Sequence, residues 1–292
     1  MIRPFALAVA LAMSAALLIT SQHSHAQQAS TPSRLTLHSF AAAFPGDGVN
    51  TQVKVGIDIA EPSLPIADSA GRVVENLVCD VSAIDLATGQ TAATSSKAAR
   101  YMGGLSLRSG VPVGEQTVMV DLSVALLLAP GRYELRADAR SRTGNRFGSS
   151  ALGFDVPAFP AGALQVSDLV LGSSGNPRAV SGSRLATSSI FGAPVWPFYP
   201  AIDHTFASTD DVRVYAEVAR ANPASAINAS AEILDRAGRI VVQRTPTIAA
   251  TGPAAIDTTL TLQWLASGSY RVRVTAMDGA HTATRDTELV VK

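Results

Sequence analysis

The chain has 292 residues, with 23 basic and 23 acidic side chains, and is 47% hydrophobic and 16% charged. A net charge of zero, with no run of Lys or Arg, argues against nucleic acid or an anionic membrane surface as a partner. The single cysteine, Cys79, cannot form an internal disulfide, so hydrophobic packing has to hold the fold together. Its apolar sequence context predicts a buried, inert thiol.

The N-terminus has the pattern of a secretory signal peptide. Arg3 gives a short positive region, an apolar run follows over residues 5–19, and a small-x-small cleavage site ends at Ala26. We therefore expect a signal peptide over 1–26 and a flexible lead-in over 27–33. The apolar run is shorter than the roughly 20 residues that span a bilayer, so an uncleaved anchor is the weaker alternative. The sequence predicts a bacterial periplasmic or secreted protein without stable membrane insertion after signal cleavage.

Residues 34–156 are predicted to form a first β domain, because short apolar segments alternate with turn residues. The clearest alternation is over 52–59, where every second residue is Val or Ile. Residues 44–48, Phe-Pro-Gly-Asp-Gly, are predicted to form a turn. The predicted strands of this domain cover 34–40, 52–59, 72–85, 91–99, 117–126, 133–140 and 147–156.

A motif that occurs twice indicates that the chain repeats its design. The motif is Leu-x-x-Gly-x-Tyr, followed by strict alternation of apolar and polar residues. It contains Gly131 and Tyr133 in the first copy and Gly268 and Tyr270 in the second. A period of two predicts a strand with one buried and one solvated face. We expect each glycine to permit a tight corner, while the tyrosine ring packs and its hydroxyl group bonds to the backbone. These four residues are the predicted structural corners of two similar domains.

Residues 157–162 are a predicted Pro-rich linker, short and stiff enough to hold two domains in a preferred orientation. A second β domain is predicted over 163–292, and helical periodicity is absent after the signal peptide. The predicted fold is therefore all-β, with two tandem antiparallel immunoglobulin-like β-sandwich domains after a signal peptide. The predicted strands of the second domain cover 164–171, 212–218, 225–234, 240–244, 258–265, 268–277 and 282–291.

No catalytic motif is present: the sequence has no G-x-S-x-G, no H-E-x-x-H and no P-loop. His38, His204 and His281 lie far apart and not at zinc-ligand spacing. The pair Asp210-Asp211 could take part in acid–base or calcium chemistry, but its place just before a strand favours capping of a turn. We predict a protein that is not an enzyme and has no cofactor and no metal site.

One segment concentrates the chain's few aromatic residues. Residues 194–200, Pro-Val-Trp-Pro-Phe-Tyr-Pro, contain Trp196, Phe198 and Tyr199. These side chains could bind a partner or a ligand, because aromatic residues dominate interface energetics. The alternative, which the pattern favours, is that the segment packs against the second domain's core or the seam between the domains.

Several motifs resemble the C-terminal region of bacterial exported VWFA-related domain proteins, in which a von Willebrand A-like domain is followed by sandwich-like modules. They lie at residues 128–133, 139–145, 154–157 with 164–171, and 211–218, and together cover most of the mature chain. The resemblance implies β-sandwich modules. The A domain itself, with its metal-binding D-x-S-x-S loop, is absent, so no functional residue is implied.

These observations predict a non-enzymatic protein-interaction or scaffolding module of the cell envelope or extracellular space. Sandwich loops and sheet edges would bind the partner, an envelope or extracellular protein. The alternative is a module for a carbohydrate or small ligand, with the aromatic loop from Trp196 to Tyr199 as the stacking platform.

Overall fold

A computed structural model describes most of the chain after the predicted lead-in. The described residues form sixteen strands and no helix, which confirms the all-β class. None of them forms a helix that is long and apolar enough to cross a membrane. The predicted signal peptide, the lead-in and Tyr199 lie outside the described residues, which are 34–61, 73–103, 118–141, 146–173, 195–198, 200–220, 226–246, 248 and 254–292.

Sandwich 1 consists of seven strands in two sheets. One sheet has the order β1-β2-β5 and the other β4-β3-β6-β7, with every one of these strand pairs antiparallel. The bounds are β1 Thr36–Phe44, β2 Thr51–Glu61, β3 Val73–Asp85, β4 Thr91–Gly103, β5 Val118–Leu128, β6 Gly131–Ser141 and β7 Phe147–Val156.

The core of sandwich 1 lies between these two sheets and follows from the alternation of the strands. Val53 and Ile57 of β2 face Val81 of β3 and Leu135 of β6 in one cluster of buried side chains. Cys79 belongs to the same cluster and is fully buried. Burial, with Asp80 and Asp138 nearby, raises the pKa of its thiol to about 12, so the thiol stays protonated.

Sandwich 2 repeats this topology. Its sheets have the orders β14-β11-β8, with β9 also paired to β11, and β10-β16-β15-β12-β13. Among the described strands, only the two-residue β10, which the sequence did not predict, pairs in parallel, with β16. The bounds are β8 Gln165–Val166, β9 Val170–Ser173, β10 Thr205–Phe206, β11 Asp211–Ala219, β12 Asn228–Leu234, β13 Ile240–Arg244, β14 Ala254–Thr261, β15 Gly268–Asp278 and β16 His281–Val291.

The predicted immunoglobulin-like tandem is confirmed by the matching strand orders of the two sandwiches. In sandwich 1, β2 pairs with β5 in one sheet, and the other sheet contains the order β4-β3-β6-β7. In sandwich 2, β11 pairs with β14 in one sheet, and the other contains the matching order β13-β12-β15-β16. A separate cluster of buried apolar residues fills sandwich 2. Contact between the sandwiches makes the chain from residue 34 onward part of one compact unit.

The bounds of several predicted strands differ from those observed, and in three strands the packing gives the reason. β1 continues to Phe44, which the sequence assigned to a turn, because that ring is fully buried between the sandwiches. The segment 164–171 is divided into β8 and β9, since Asp168 between them bonds to Ala43 of β1 rather than to its own sheet. β14 ends at Thr261, before a turn in which Trp264 adopts a positive φ.

Candidate functional site

A cluster of aromatic and charged residues, which we call the seam, joins the outer faces of β1 and β2 to those of β9 and β11. Lys54 and Glu217 contribute an ion pair to it. Asp168 connects the backbones as well: its N–H donates to Ala43 O at 2.9 Å, and Ala43 N–H donates to Asp168 Oδ2 at 2.7 Å. The apolar members of the seam are Phe40, Ala42, Phe44, Val170, Val195, Trp196, Phe198 and Tyr215.

Trp196 lies at the centre of the seam and is 5% exposed. Its ring centroid is 5.9 Å from that of Phe40 and 5.8 Å from that of Phe44. Phe198 is partly buried, with the Arg213 guanidinium carbon 5.0 Å from its ring centroid. Trp196 therefore occupies the position that the packing alternative describes, and neither face of its ring is open to a ligand.

Lys54 is enclosed by aromatic rings in the seam. Its Nζ donates to Glu217 Oε1 at 2.6 Å, and the Tyr215 hydroxyl group donates to the same oxygen at 2.9 Å. Nζ also lies 4.0 Å from the ring centroid of Phe44 and 5.8 Å from those of Trp196 and Tyr215. Only 9% of the Lys54 side chain and 21% of the Glu217 side chain is exposed. Such a partly desolvated pair is directional, so it favours one orientation of the two sandwiches.

His204 borders the seam from sandwich 2. Its ring centroid lies 5.9 Å from that of Phe40, and its Nδ1 lies 3.5 Å from Thr287 Oγ1. Its Nε2 is buried and has no hydrogen-bond partner among the described residues. Burial lowers the pKa of His204 below 6.5, although the backbone of Glu288 and the charge of Asp203 act in the opposite direction. The folded protein thus favours the neutral imidazole.

We expect His204 to make the protein less stable on acidification from pH 7 to pH 5. Because its pKa is lower in the folded than in the unfolded state, the unfolded chain takes up the proton first once the pH falls below 6.5. The free energy of unfolding, measured with urea, should therefore fall less between pH 7 and pH 5 for His204→Gln than for the wild type. His281→Gln, at an exposed histidine, is the control and should keep the wild-type slope. Equal slopes for wild type and His204→Gln would contradict this expectation.

The two predicted corners share one geometry. The Tyr133 hydroxyl group donates to Ala129 O, and the Tyr270 hydroxyl group donates to Ala266 O, each at 2.9 Å. Gly131 does not have a positive φ. A Cβ atom at Gly131 would lie 3.4 Å from the Tyr133 ring, and the glycine therefore leaves room for that ring. Both corners act in folding rather than in chemistry.

The Asp210-Asp211 pair lies at the start of β11, of which Asp211 is the first residue. Asp210 Oδ2 accepts a hydrogen bond from Ala207 N–H at 3.0 Å, which caps the turn before β11. Across the part of the chain that the structure describes, no group of three or more His, Cys, Asp or Glu side chains is arranged to hold a metal ion.

The second tryptophan has the opposite environment to Trp196. Trp264 is 90% exposed and adopts a φ of +81° in the turn between β14 and β15. That turn is anchored by Leu262 N–H, which donates to Asp210 O at 3.3 Å, and by Leu265 N–H, which donates to Leu262 O at 2.9 Å. A bulky residue at positive φ costs on the order of 1–3 kcal/mol, and the exposed ring recovers none of this through burial. Neither the exposed ring nor the positive φ of Trp264 stabilises the fold.

Trp264 is not among the residues predicted from the sequence, although the repeat carries a signal for it. When the two corners are aligned on Tyr133 and Tyr270, Trp264 falls opposite Leu127. The second copy thus places the larger aromatic side chain at a position that is exposed in both sandwiches. A departure of this kind from an internal repeat is the signal that could have been used.

Trp264 shares one end of sandwich 2 with the hairpin of β12 and β13. The registers of β11 with β14 and of β12 with β15 place both turns at the end opposite the linker. β13 is the terminal strand of its sheet and contacts β14 of the other sheet. Its first residues, Ile240 and Val241, are 52% and 42% exposed. We call Ile240, Val241 and Trp264 the distal surface.

Comparison with known proteins identifies no family. No protein-family model matches the chain, and no curated protein matches its sequence. The solved BSP domain of a biofilm-associated protein is 9% identical over 88% of this chain and 51% of its own, with a TM-score of 0.21. A Parabacteroides merdae β-glucuronidase is 8% identical over 83% of this chain and 28% of its own, with a TM-score of 0.28.

The C-terminal domain of the Streptococcus agalactiae AgI/II polypeptide BspA is 8% identical over 87% of this chain and 99% of its own, with a TM-score of 0.22. The chain thus spans about half the length of the BSP domain structure and less than a third of the glucuronidase. TM-scores this low carry no argument about function, and the resemblance to VWFA-related domain proteins stays a prediction.

Proposed function

We propose that the protein is a non-enzymatic binding module, exported to the periplasm or secreted, that binds another envelope or extracellular protein through the distal surface. The observation that carries this proposal is Trp264, a tryptophan that is 90% exposed at a φ of +81°. Tryptophan is among the residues most enriched in interface hot spots. Backbone strain of this kind persists where it serves function rather than stability.

The surroundings of Trp264 support a binding role because they are rigid. The hydrogen bond from Tyr270 to Ala266 O fixes the turn that follows the tryptophan. The seam restrains sandwich 2 against sandwich 1 through Lys54 and Glu217. A binding side chain on a rigid support loses less conformational entropy when the partner binds.

The carbohydrate alternative loses its main support. Sugar stacking needs an open ring face, and Trp196, at the centre of the expected platform, is buried against Phe40 and Phe44.

Trp264→Gly tests the proposal, because stability and binding should change in different directions. Relief of about 1–3 kcal/mol of strain outweighs the roughly 0.5–1 kcal/mol entropic cost of glycine, so the free energy of unfolding should stay level or rise by about 1 kcal/mol. Binding is measured by crosslinked capture from the native envelope extract with the chain of residues 27–292, read by mass spectrometry. We expect one protein that the wild type enriches and Trp264→Gly does not.

The matched control is Leu127→Ser, at the equivalent exposed position of sandwich 1, which should capture the same protein as the wild type. Capture that survives in Trp264→Gly, or no specific capture by the wild type, would show that the distal surface does not bind a protein partner.

A further inference from the structure

β13 offers an open sheet edge beside the distal surface. It pairs with β12 on one side and, among the described strands, with none on the other. The register shift at Ile233 and Leu234 leaves both Ile240 and Val241 exposed at its start. The outward N–H and C=O groups of such a terminal strand are a template for pairing with another chain.

The composition of β13 favours pairing. Its sequence, Ile-Val-Val-Gln-Arg, begins with three β-branched residues and contains no proline, lysine or acidic residue. The corresponding terminal strand of sandwich 1, β4, begins Thr-Ala-Ala-Thr-Ser-Ser and then carries Lys97. An edge lysine discourages strand addition, and β13, unlike β4, has none.

The charges around β13 indicate what kind of strand would pair with it. Arg239 precedes β13, Arg244 ends it, and Arg236 lies in the preceding turn. Asp235 binds Arg239, with Oδ2 2.7 Å from the guanidinium, and offsets one of these three charges. An antiparallel second copy of β13 would bring arginines against each other, which is unfavourable. A strand with acidic residues on both sides of an apolar centre is complementary.

We infer that β13 binds an extended segment of the partner, apolar at its centre and flanked by acidic residues, as an added antiparallel strand. Trp264, at the same end of sandwich 2, contacts a side chain of that segment and so contributes to its specificity. This inference rests on the proposed function, because it gives the chemistry of the partner that the distal surface binds.

The test uses a fluorescein-labelled probe peptide in which alternating Val and Thr lie between two pairs of Glu, and a second peptide with Lys pairs as the charge control. Fluorescence anisotropy with the chain of residues 27–292 should show binding of the first peptide and at least tenfold weaker binding of the second. Hydrogen–deuterium exchange should show new protection of β13 amides, a change that docking of side chains alone would not cause.

Two variants locate the binding site of the peptide. Val241→Lys places a charge at the exposed edge and should weaken binding of the Glu-flanked peptide at least tenfold. Thr94→Lys, exposed on β4, is the matched control and should bind as the wild type does. Equal weakening in both variants, or binding without protection of β13, would overturn the inference. A dimer of the free chain that Val241→Lys dissociates, measured by sedimentation, would overturn it in favour of a second copy.

Failure of this inference can be distinguished from failure of the proposed function. If Trp264→Gly abolishes capture while Val241→Lys keeps it and β13 gains no protection, the proposed function stands and strand addition is wrong. If the wild type captures no protein but the peptide protects β13, strand addition is supported and the envelope partner is wrong.

Discussion

Glu217→Ala should lower the free energy of unfolding by about 3–5 kcal/mol, the cost of leaving a buried charge without its partner. The charge is that of Lys54, whose Nζ would remain beside the Phe44 ring without the carboxylate that now accepts its hydrogen bond at 2.6 Å. The Tyr215 hydroxyl group would lose its acceptor in the same variant. Urea unfolding at pH 7, followed by tryptophan fluorescence, measures the loss.

Two further variants separate the ion pair from simple packing. In Lys54→Met with Glu217→Leu both charges are gone, so stability should return to near the wild-type value. Asp257→Ala breaks an ion pair with Arg213 in which a third of each side chain is exposed, and should cost no more than about 1 kcal/mol. A loss for Glu217→Ala as small as that for Asp257→Ala would show that the seam pair is solvated and adds little.

Trp196→Ala should cost about 3–5 kcal/mol, as is usual when a large buried aromatic side chain is removed. The ring packs between Phe40 and Phe44 and lies within reach of the Lys54 ammonium group. Thermal unfolding should show the loss for Trp196→Ala and none for the exposed Trp264→Ala. An unchanged stability of Trp196→Ala together with loss of a bound ligand would instead support the binding interpretation of the aromatic segment.

The losses in free energy of unfolding of Glu217→Ala and Trp196→Ala should not be additive. Trp196 and Glu217 both lie beside the Lys54 ammonium group. Once one of them is replaced, water reaches Lys54, so replacing the other removes less stabilisation. We expect the double variant to lose less stability than the sum of the single variants, which a double-mutant cycle measures directly.

The alternation of residues and the corner motif predict most of the strands, the tyrosine corners and the tandem architecture. In β6 and β15 each second side chain is apolar, and burial on one face of a sheet has that same period of two. The tyrosine hydroxyl bonds span only four residues, Tyr133 to Ala129 and Tyr270 to Ala266. Features that depend on neighbours along the chain can be predicted in this way because the interacting groups are fixed by local geometry.

Contacts between distant parts of the chain determine which of the two tryptophans is buried and which is exposed. Lys54 and Glu217 are 163 residues apart in the chain, so no local pattern connects them. Trp196 lies in a segment for which the sequence favoured packing but left binding open, and its contacts with Phe40 and Phe44 of β1 decide for packing. Trp264 is exposed because the turn after β14 directs it away from both sheets, and that direction depends on a backbone conformation that composition does not specify.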